Sequence, residues 1–299
     1  MNIVKKRFSI KDLENLSGIK AHTIRIWEKR YDLLTPNRTD TNIRYYSLSN
    51  LQKLLNITLL YNNGYKISKI AKVPEKEIPL LVREIISENT VKSHSINAFK
   101  LAMINFDQTL FLNTYNALLA NRTFKEIFQE VLIPLLTELG LLWQTDVINP
   151  SHEHFVIGLI KQKILVNIER LQVIEASKKD KVFVLFLPES EIHEIGLLYL
   201  NYEIALKGYQ SIYLGQSVPL DSLIELPKYF SNIVFLSYFT VEPNKTMIDN
   251  YIKDFYNQLH LSENNELWVL GQQVKHLKLD NLQEEVKVFG TIEEVINEI

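Results

Sequence analysis

The 299 residues contain no cysteine, which removes disulfides, thiolate metal sites and cysteine nucleophiles from consideration. Histidine is scarce. Of the seven present, only His152 and His154 stand at close metal-ligand spacing, so a structural zinc site lacks its donor set. No stretch approaches the roughly 18 uninterrupted apolar residues of a membrane-spanning helix. Met1 to Phe8 is basic but has no apolar segment behind it, so no secretory leader is expected. These absences lead to the expectation of a soluble, cytoplasmic protein. With 46% hydrophobic residues the chain can bury sizeable cores, and at about 150 residues per domain it should hold two or three.

Acidic residues are what the first quarter of the chain lacks. Residues 1–74 carry fourteen Lys/Arg against five Asp/Glu, an excess of nine positive charges. The other 225 residues carry 19 basic and 30 acidic side chains, an excess of eleven negative ones. The formal net charge of −2 hides this division. A basic head favours a polyanion, because each phosphate contact releases condensed counterions. An acidic body would be repelled by the same partner.

The head reads as two short helices. Ser9 is a candidate N-cap, Ile10, Leu13 and Leu16 share one helical face, and Gly18 breaks the pattern. A second helix from Ala21 to Arg30 has Ile24 and Trp27 as its apolar stripe and shows His22, Thr23, Arg25, Lys29 and Arg30 on the other side. This is the layout of a helix-turn-helix; on these residues alone, a small helical hairpin with a solvated basic face is the alternative. Asn37-Arg38 and Arg44-Tyr45-Tyr46 flank a polar tip, as in a hairpin wing with Arg at both feet. Ser47 then caps a helix over Leu48 to Tyr61, and a turn at Asn62-Asn63-Gly64 leads to a short helix over Ile67 to Val73. The run Thr23-Ile24-Arg25-Ile26-Trp27-Glu28-Lys29-Arg30-Tyr31, with Pro36-Asn37-Arg38, Arg44-Tyr45-Tyr46 and Gly64-Tyr65-Lys66-Ile67, resembles the MerR family of transcription regulators. The resemblance implies a winged helix-turn-helix that binds a two-fold, double-stranded DNA operator as a dimer. It gives Arg25, Arg30, Arg38, Arg44 and Tyr45 as DNA contacts beside His22, Thr23 and Lys29.

The rest of the chain divides by rhythm. Pro74, Pro79 and the polar stretch Glu88 to Ser95 suggest a linker, placed at 79–96 after a DNA-binding domain at 1–78. Residues 97–178 have helical spacing throughout (Leu101, Ile104, Leu110; Phe124, Phe128, Leu132; Leu159 to Leu171) and are expected to form a helical bundle. Residues 179–299 alternate strands with helices. The continuous apolar run Val182–Leu187 reads as a buried parallel strand. Further strands are expected at Ser211–Leu214, Ile233–Leu236, Leu267–Leu270 and Val286–Phe289. Helices are expected from Leu220, over Lys245–Leu259 and over Ile292–Ile299. The fold class is therefore multidomain α and α/β, ending in a doubly wound, Rossmann-like sheet that binds ligands at the carboxyl ends of its strands.

The loop after the first strand of that sheet holds Glu191-Ile192-His193-Glu194-Ile195-Gly196. A histidine there can ligate a metal while an acidic neighbour orients its other nitrogen; a surface histidine at a helix start is the plain alternative. The pattern E-x-H-x-x-G resembles the cobalamin-binding fold of methionine synthases, mutases and light-responsive regulators. That resemblance implies His193 as the lower cobalt ligand and Gly196 as the site of close packing beside the cofactor. It further implies Gly215 as part of the loop after the second strand, Ser237 as lining for the nucleotide tail, and Gly271 as half of a glycine pair. Trp143, nine residues and then Glu153-His154 resembles the signature of cobalamin-dependent photoreceptor regulators, the CarA, CarH and LitR group. There these three side chains cover the cofactor's upper face.

The chain also departs from those patterns. Gln144 stands where light-sensing members often have histidine, with His152 nearby. Gln272 replaces the second glycine of the pair, and Tyr238-Phe239 replace smaller residues after Ser237. The resulting expectation is a one-component regulator, not an enzyme, that senses adenosylcobalamin, with light as a possible input, and couples it to self-association as a dimer or tetramer. The alternative is a MerR-like regulator whose sheet has lost the cofactor and serves a protein or another small ligand. A cobalamin enzyme is disfavoured, since neither a substrate-barrel length of sequence nor a second Gly-rich nucleotide loop is present.

Overall fold

The computed structural model describes residues 7–84, 88–144, 148–173, 175–259, 261, 264–278 and 282–299. It divides into two compact units, Met1–Ile160 and Lys161–Ile299.

In the first unit, α1 (Ile10–Ser17) starts at a reciprocal cap. Ser9 Oγ accepts from the Asp12 amide while the Asp12 carboxylate accepts from the Ser9 amide, satisfying two otherwise orphaned donors. It ends at Gly18, whose φ of +75° a side chain would resist. Helix α2 (Ala21–Tyr31) buries Ile24 and Trp27 against α1, where Leu13 and Leu16 are buried. The wing is a two-stranded antiparallel pair, β1 (Asn37–Arg38) and β2 (Arg44–Tyr45). Phe8 pairs with Tyr46 and fastens the start of the chain to the wing's base. Tyr46 is fully buried and its hydroxyl donates to Glu28 of α2. Burial and that carboxylate push the Tyr46 phenol pKa up. Ser47 and Asn50 form a second reciprocal cap for α3 (Leu48–Asn62), which is followed by α4 (Ile67–Ile70).

Among its described residues, the stretch expected to be a linker is largely helical. It contains α5 (Ile78–Glu84) and the start of α6 (Glu88–Asn105). Pro79 sits in the first turn of α5, where a missing N–H costs nothing. Ile96, Phe99, Ala102 and Met103 bury one face of α6. Helices α7 (Gln108–Leu119), α8 (Phe124–Ile127) and α9 (Ile133–Gln144) follow, with one π-helical turn at Phe128–Leu132 between the last two. Helix α10 (Pro150–Gln172) runs across the boundary between the units.

The second unit is an all-parallel sheet of β3 (Lys178–Pro188), β4 (Tyr209–Val218), β5 (Ile233–Tyr238), β6 (Asn265–Leu270) and β7 (Val286–Phe289), in the order β4-β3-β5-β6-β7. Helices α11 (Ile195–Leu206), α12 (Ile248–Leu259) and α13 (Ile292–Glu298) connect or follow the strands. Residues 182–188 are buried on both faces of β3, which is why the sequence there shows no alternation. The helix expected from Leu220 is absent. Leu220–Leu223 and Leu226–Lys228 are single 3₁₀ turns, because Pro219 and Pro227 leave too few consecutive residues for an α-helix. The chain leaves β3 towards β4 and then returns to the other side at β5. The carboxyl ends of β3 and β5 therefore form the switch point where such sheets take ligands.

Candidate functional site

The loops after β3 and β5 meet at that switch point, and the Glu191 carboxylate joins them. Glu191 is 1% exposed. Its Oε1 accepts from the amides of Ile192 (2.9 Å) and His193 (3.0 Å) and from His193 Nδ1 (2.5 Å). Its Oε2 accepts from the amides of Thr240 (3.2 Å), Val241 (2.6 Å) and Glu242 (2.8 Å) beyond β5. The end of β4 closes the set: Ser217 N donates to Glu191 O, and Ser190 N donates to Ser217 Oγ. Burial alone would raise the carboxyl pKa, but the hydrogen bonds from His193, Val241 and Glu242 outweigh it and hold Glu191 at about 2. Because Nδ1 donates to Glu191, Nε2 is the nitrogen with a lone pair for a metal. The His193 side chain is 49% exposed, and beside it Ile192 and Val241 are 59% and 49% exposed. An oriented imidazole within an apolar rim matches the donor and contact surface that the lower face of a corrin ring needs.

Glu194, which the sequence reading passed over, is 7% exposed. It accepts from Gln216 Nε2 (2.6 Å), Tyr213 hydroxyl (2.8 Å) and the Lys161 ammonium of α10. Burial and this carboxylate push the Tyr213 phenol pKa up. Glu194 thus pins the residue after His193 to β4 and α10. Its partners lie 19 to 33 residues away, so the only local signal was an acid directly after the histidine.

The other residues expected to contact the cofactor are divided in their roles. Gly196 lies under the Tyr238 ring: a Cβ there would sit 2.5 Å from Cε2. Ser237 is fully buried and its hydroxyl donates to the Phe186 carbonyl at 2.9 Å. Gly271, at φ +114°, has the Phe239 carbonyl carbon 2.8 Å from where its Cβ would stand, so no other residue fits. Gly215 has a φ of +83° within β4. Two expected obstructions lie elsewhere. Gln272 is exposed and accepts from Lys275, and Phe239 is buried in the core against Tyr251, ring centroids 5.6 Å apart.

Trp143 lies in the last turn of α9, but its side chain and that of Gln144 lie outside the described residues. Glu153 is half-buried and His154 exposed on the first turns of α10. His152 is committed to the bundle: it stacks on Phe106 at 4.8 Å, and its Nδ1 accepts from the Asn149 amide. In the head, His22, Arg25, Lys29, Arg30, Arg38 and Arg44 are exposed, and Thr23 and Tyr45 are half-buried. Arg38 donates to Asn42 Oδ1 at 2.6 Å across the wing, and Arg7 lies 4.7 Å over the Tyr45 ring. The head is tied to the bundle by buried Lys100 of α6, which pairs with Glu138 of α9 and donates to the Leu16 carbonyl of α1.

The model of the MerR HTH family regulatory proteins matches residues 8–77, and that of the B12 binding domain matches residues 95–166. The chain joins a MerR head to a B12-binding domain. The HTH-type transcriptional repressor CarH of Myxococcus xanthus is 26% identical over 227 residues, 74% of this chain and 75% of that protein. Its counterpart CarA, from the same organism, is 26% identical over 216 residues, covering 72% and 70%. The chain is homologous to these repressors, which supports a regulator rather than an enzyme. The solved Methanosarcina barkeri monomethylamine corrinoid protein shares the fold at a TM-score of 0.56 and 14% identity, covering 69% of this chain and 97% of that one. Among the described residues, no helix is long and apolar enough to cross a membrane.

Proposed function

We propose that this chain is a one-component, cytoplasmic transcription regulator whose head binds a double-stranded operator and whose C-terminal half senses a corrinoid, adenosylcobalamin in the first instance. The observation that carries the reading is the Glu191 carboxylate fixing the His193 tautomer at the switch point, on a chain that also carries a MerR head. His193 would be the lower ligand to cobalt, with Glu191 holding its ring. The resemblance gives Trp143, Glu153 and His154 to the opposite face of the corrinoid. Arg25, Lys29 and Arg30 of α2 would enter the major groove, and Arg38, Arg44 and Tyr45 of the wing would contact the backbone beside it. When bound, a corrinoid supplies a cobalt centre whose upper ligand can be present or absent, and that difference is the signal. It reaches the operator only through a difference in affinity for two assembly states of the chain.

The test is purification with adenosylcobalamin in the dark, followed by visible spectrum and elution volume, for wild type and His193→Ala. A coloured wild type with an imidazole-bound spectrum that His193→Ala loses supports the reading. A colourless protein of unchanged elution volume in every case sinks it. Repeating the elution after illumination tests light as an input. One observation favours a second reading, in which the sheet no longer takes a corrinoid: Gly196, Ser237 and Gly271 are engaged by the chain's own atoms. Operator binding without any corrinoid binding would select it.

A further inference from the structure

A cavity of about 300 Å³ lies within the first unit, between the head and the bundle. That is the small end of the range for small-molecule sites. It involves none of the residues given to the corrinoid. Helix α3 lines it with Thr58, flanked by Leu55 and Leu59, and α6 lines it with Lys100, one turn beyond Ile96. Positions three and four apart fall on one helical face, so each helix turns a single face to the cavity. The end of α1 contributes Asn15 and Leu16, and α9 contributes Glu138.

The polar lining has a surplus of donors. Thr58 and Lys100 are both more than nine-tenths buried. Among the described residues, the Thr58 hydroxyl and the Asn15 side-chain nitrogen are buried without a hydrogen-bond partner. Buried donors are normally satisfied, so two beside one cavity call for an acceptor there. The Lys100 ammonium carries three N–H groups. It pairs with Glu138 and reaches the Leu16 carbonyl at a long 3.5 Å. Glu138 is partly exposed, so it can turn to solvent and yield the ammonium. A carboxylate suits this set. It brings acceptor oxygens for the hydroxyl, the amide and the ammonium, and it keeps Lys100 paired with a negative charge. A phosphate dianion would bring more charge than one ammonium balances. Leu16, Leu55, Leu59 and Ile96 form an apolar wall for a short hydrocarbon body. The walls belong to the head on one side and the bundle on the other, so an occupant would hold one against the other.

We propose that this cavity binds a small organic carboxylate with an apolar body, Lys100 taking its charge and Thr58 and Asn15 its remaining lone pairs. The full-length protein would be titrated by calorimetry with hexanoate and benzoate at fixed ionic strength, with hexanamide and benzamide as uncharged controls. Hydrogen exchange would locate the bound probe. Wild type, Lys100→Met and Thr58→Val would be compared, each checked for folding by circular dichroism. At least one carboxylate is expected to bind the wild type with a dissociation constant of about 1 mM or below, as so few atoms allow. Its amide, and the acid with Lys100→Met, should each bind at least ~10-fold more weakly, the loss of one charge-assisted hydrogen bond. Thr58→Val should weaken binding ~3-fold or more without lowering the melting temperature of the unliganded protein, since its hydroxyl is unpartnered there. Protection from exchange should rise in α1, α3 and α6. No binding of either carboxylate, equal binding of acid and amide, or unchanged affinity in a folded Lys100→Met overturns the proposal. Unchanged affinity in Thr58→Val overturns the part given to that hydroxyl. Protection confined to the second unit overturns the assignment to this cavity and leaves the corrinoid reading standing.

Discussion

Glu191→Gln is the sharpest test of how the site is held together. Each carboxylate oxygen faces three N–H donors, Oε1 those of Ile192, His193 and the His193 ring, Oε2 those of Thr240, Val241 and Glu242. A glutamine replaces one oxygen with NH₂, so in either orientation three donors confront a donor. Losing a charge-assisted bond costs about 1.5–3 kcal/mol and stranding buried donors adds to it, so the expected loss of stability is about 4 kcal/mol at pH 7. The pKa gives an independent figure: a carboxyl held at about 2 against the usual 4.5 corresponds to a preference for the charged form on the order of 3 kcal/mol. Because the folded pKa is depressed, this stabilisation is complete above the unfolded value and is lost as pH falls towards 2. Urea unfolding of wild type and variant, followed by circular dichroism from pH 7 to pH 2.5, reads it directly. Other acidic groups titrate in both proteins, so the gap between them isolates Glu191. The gap should be flat above about pH 5 and close progressively below 4.5. A gap under about 1 kcal/mol at pH 7, or one that is unchanged at the lowest pH, would refute the account of Glu191 as the clasp of the two loops.

Arg38→Ala and Arg44→Ala should each weaken operator binding and lower the slope of log affinity against log salt by about one; an unchanged slope in a salt titration removes that residue from the phosphate contacts. Glu138→Ala leaves the buried Lys100 ammonium with only the Leu16 carbonyl, but Glu138 is 41% exposed and solvent screens the pair, so the expected cost is about 1–2 kcal/mol, whereas Lys100→Met should cost less. The reverse order in thermal unfolding would show that Lys100 is not desolvated as described. Gly271→Ala meets backbone at a positive φ and Gly196→Ala meets only a ring, so Gly271→Ala should destabilise more. Only the Gly196→Ala defect should be relieved in a Tyr238→Ala background, and a double-mutant cycle on melting temperature checks it.

The legible parts of the fold were those where one physical requirement fixes one pattern. The strand at Val182–Leu187 is covered on both faces, so its unbroken apolar run could be read directly. Ser9 and Ser47 announced their helices because each cap places its partner three residues on. Residues 79–96 read as a linker because Pro79 and the polar run from Glu88 suggested a break, and composition alone does not show that α5 and the start of α6 lie within it. At the site, Glu191, His193 and Gly196 were readable from spacing within one loop. Glu194 was not, since what it does depends on partners brought from β4 and α10. The sequence pointed to Gln272, Phe239 and Tyr238 as obstructions because they replace smaller residues. The fold turns the first to solvent and the second into the core, leaving Tyr238, which lies on the opposite side of its strand from Ser237, to cover the glycine.

The charge division of the chain bears on how such a site could control DNA. The body's acidic excess of eleven gives no net attraction for phosphate, so in the proposed reading operator occupancy would depend on how many basic heads act together. In the proposed reading, the corrinoid must therefore favour one assembly state over another. Moving that equilibrium from 1:99 to 99:1 takes a differential affinity of ~10⁴, about 5.5 kcal/mol. Within the first unit, the contact that ties the bundle to the head is Lys100, pairing with Glu138 of α9 and capping the end of α1. Trp143 lies five residues beyond Glu138 on the same helix, so a corrinoid that engaged Trp143 would act on the helix that holds the head. Replacing Lys100 by Met should then leave corrinoid uptake intact and reduce the ligand-dependent change in operator affinity. A Lys100→Met protein that binds corrinoid and still responds in full would show that the signal travels by another route.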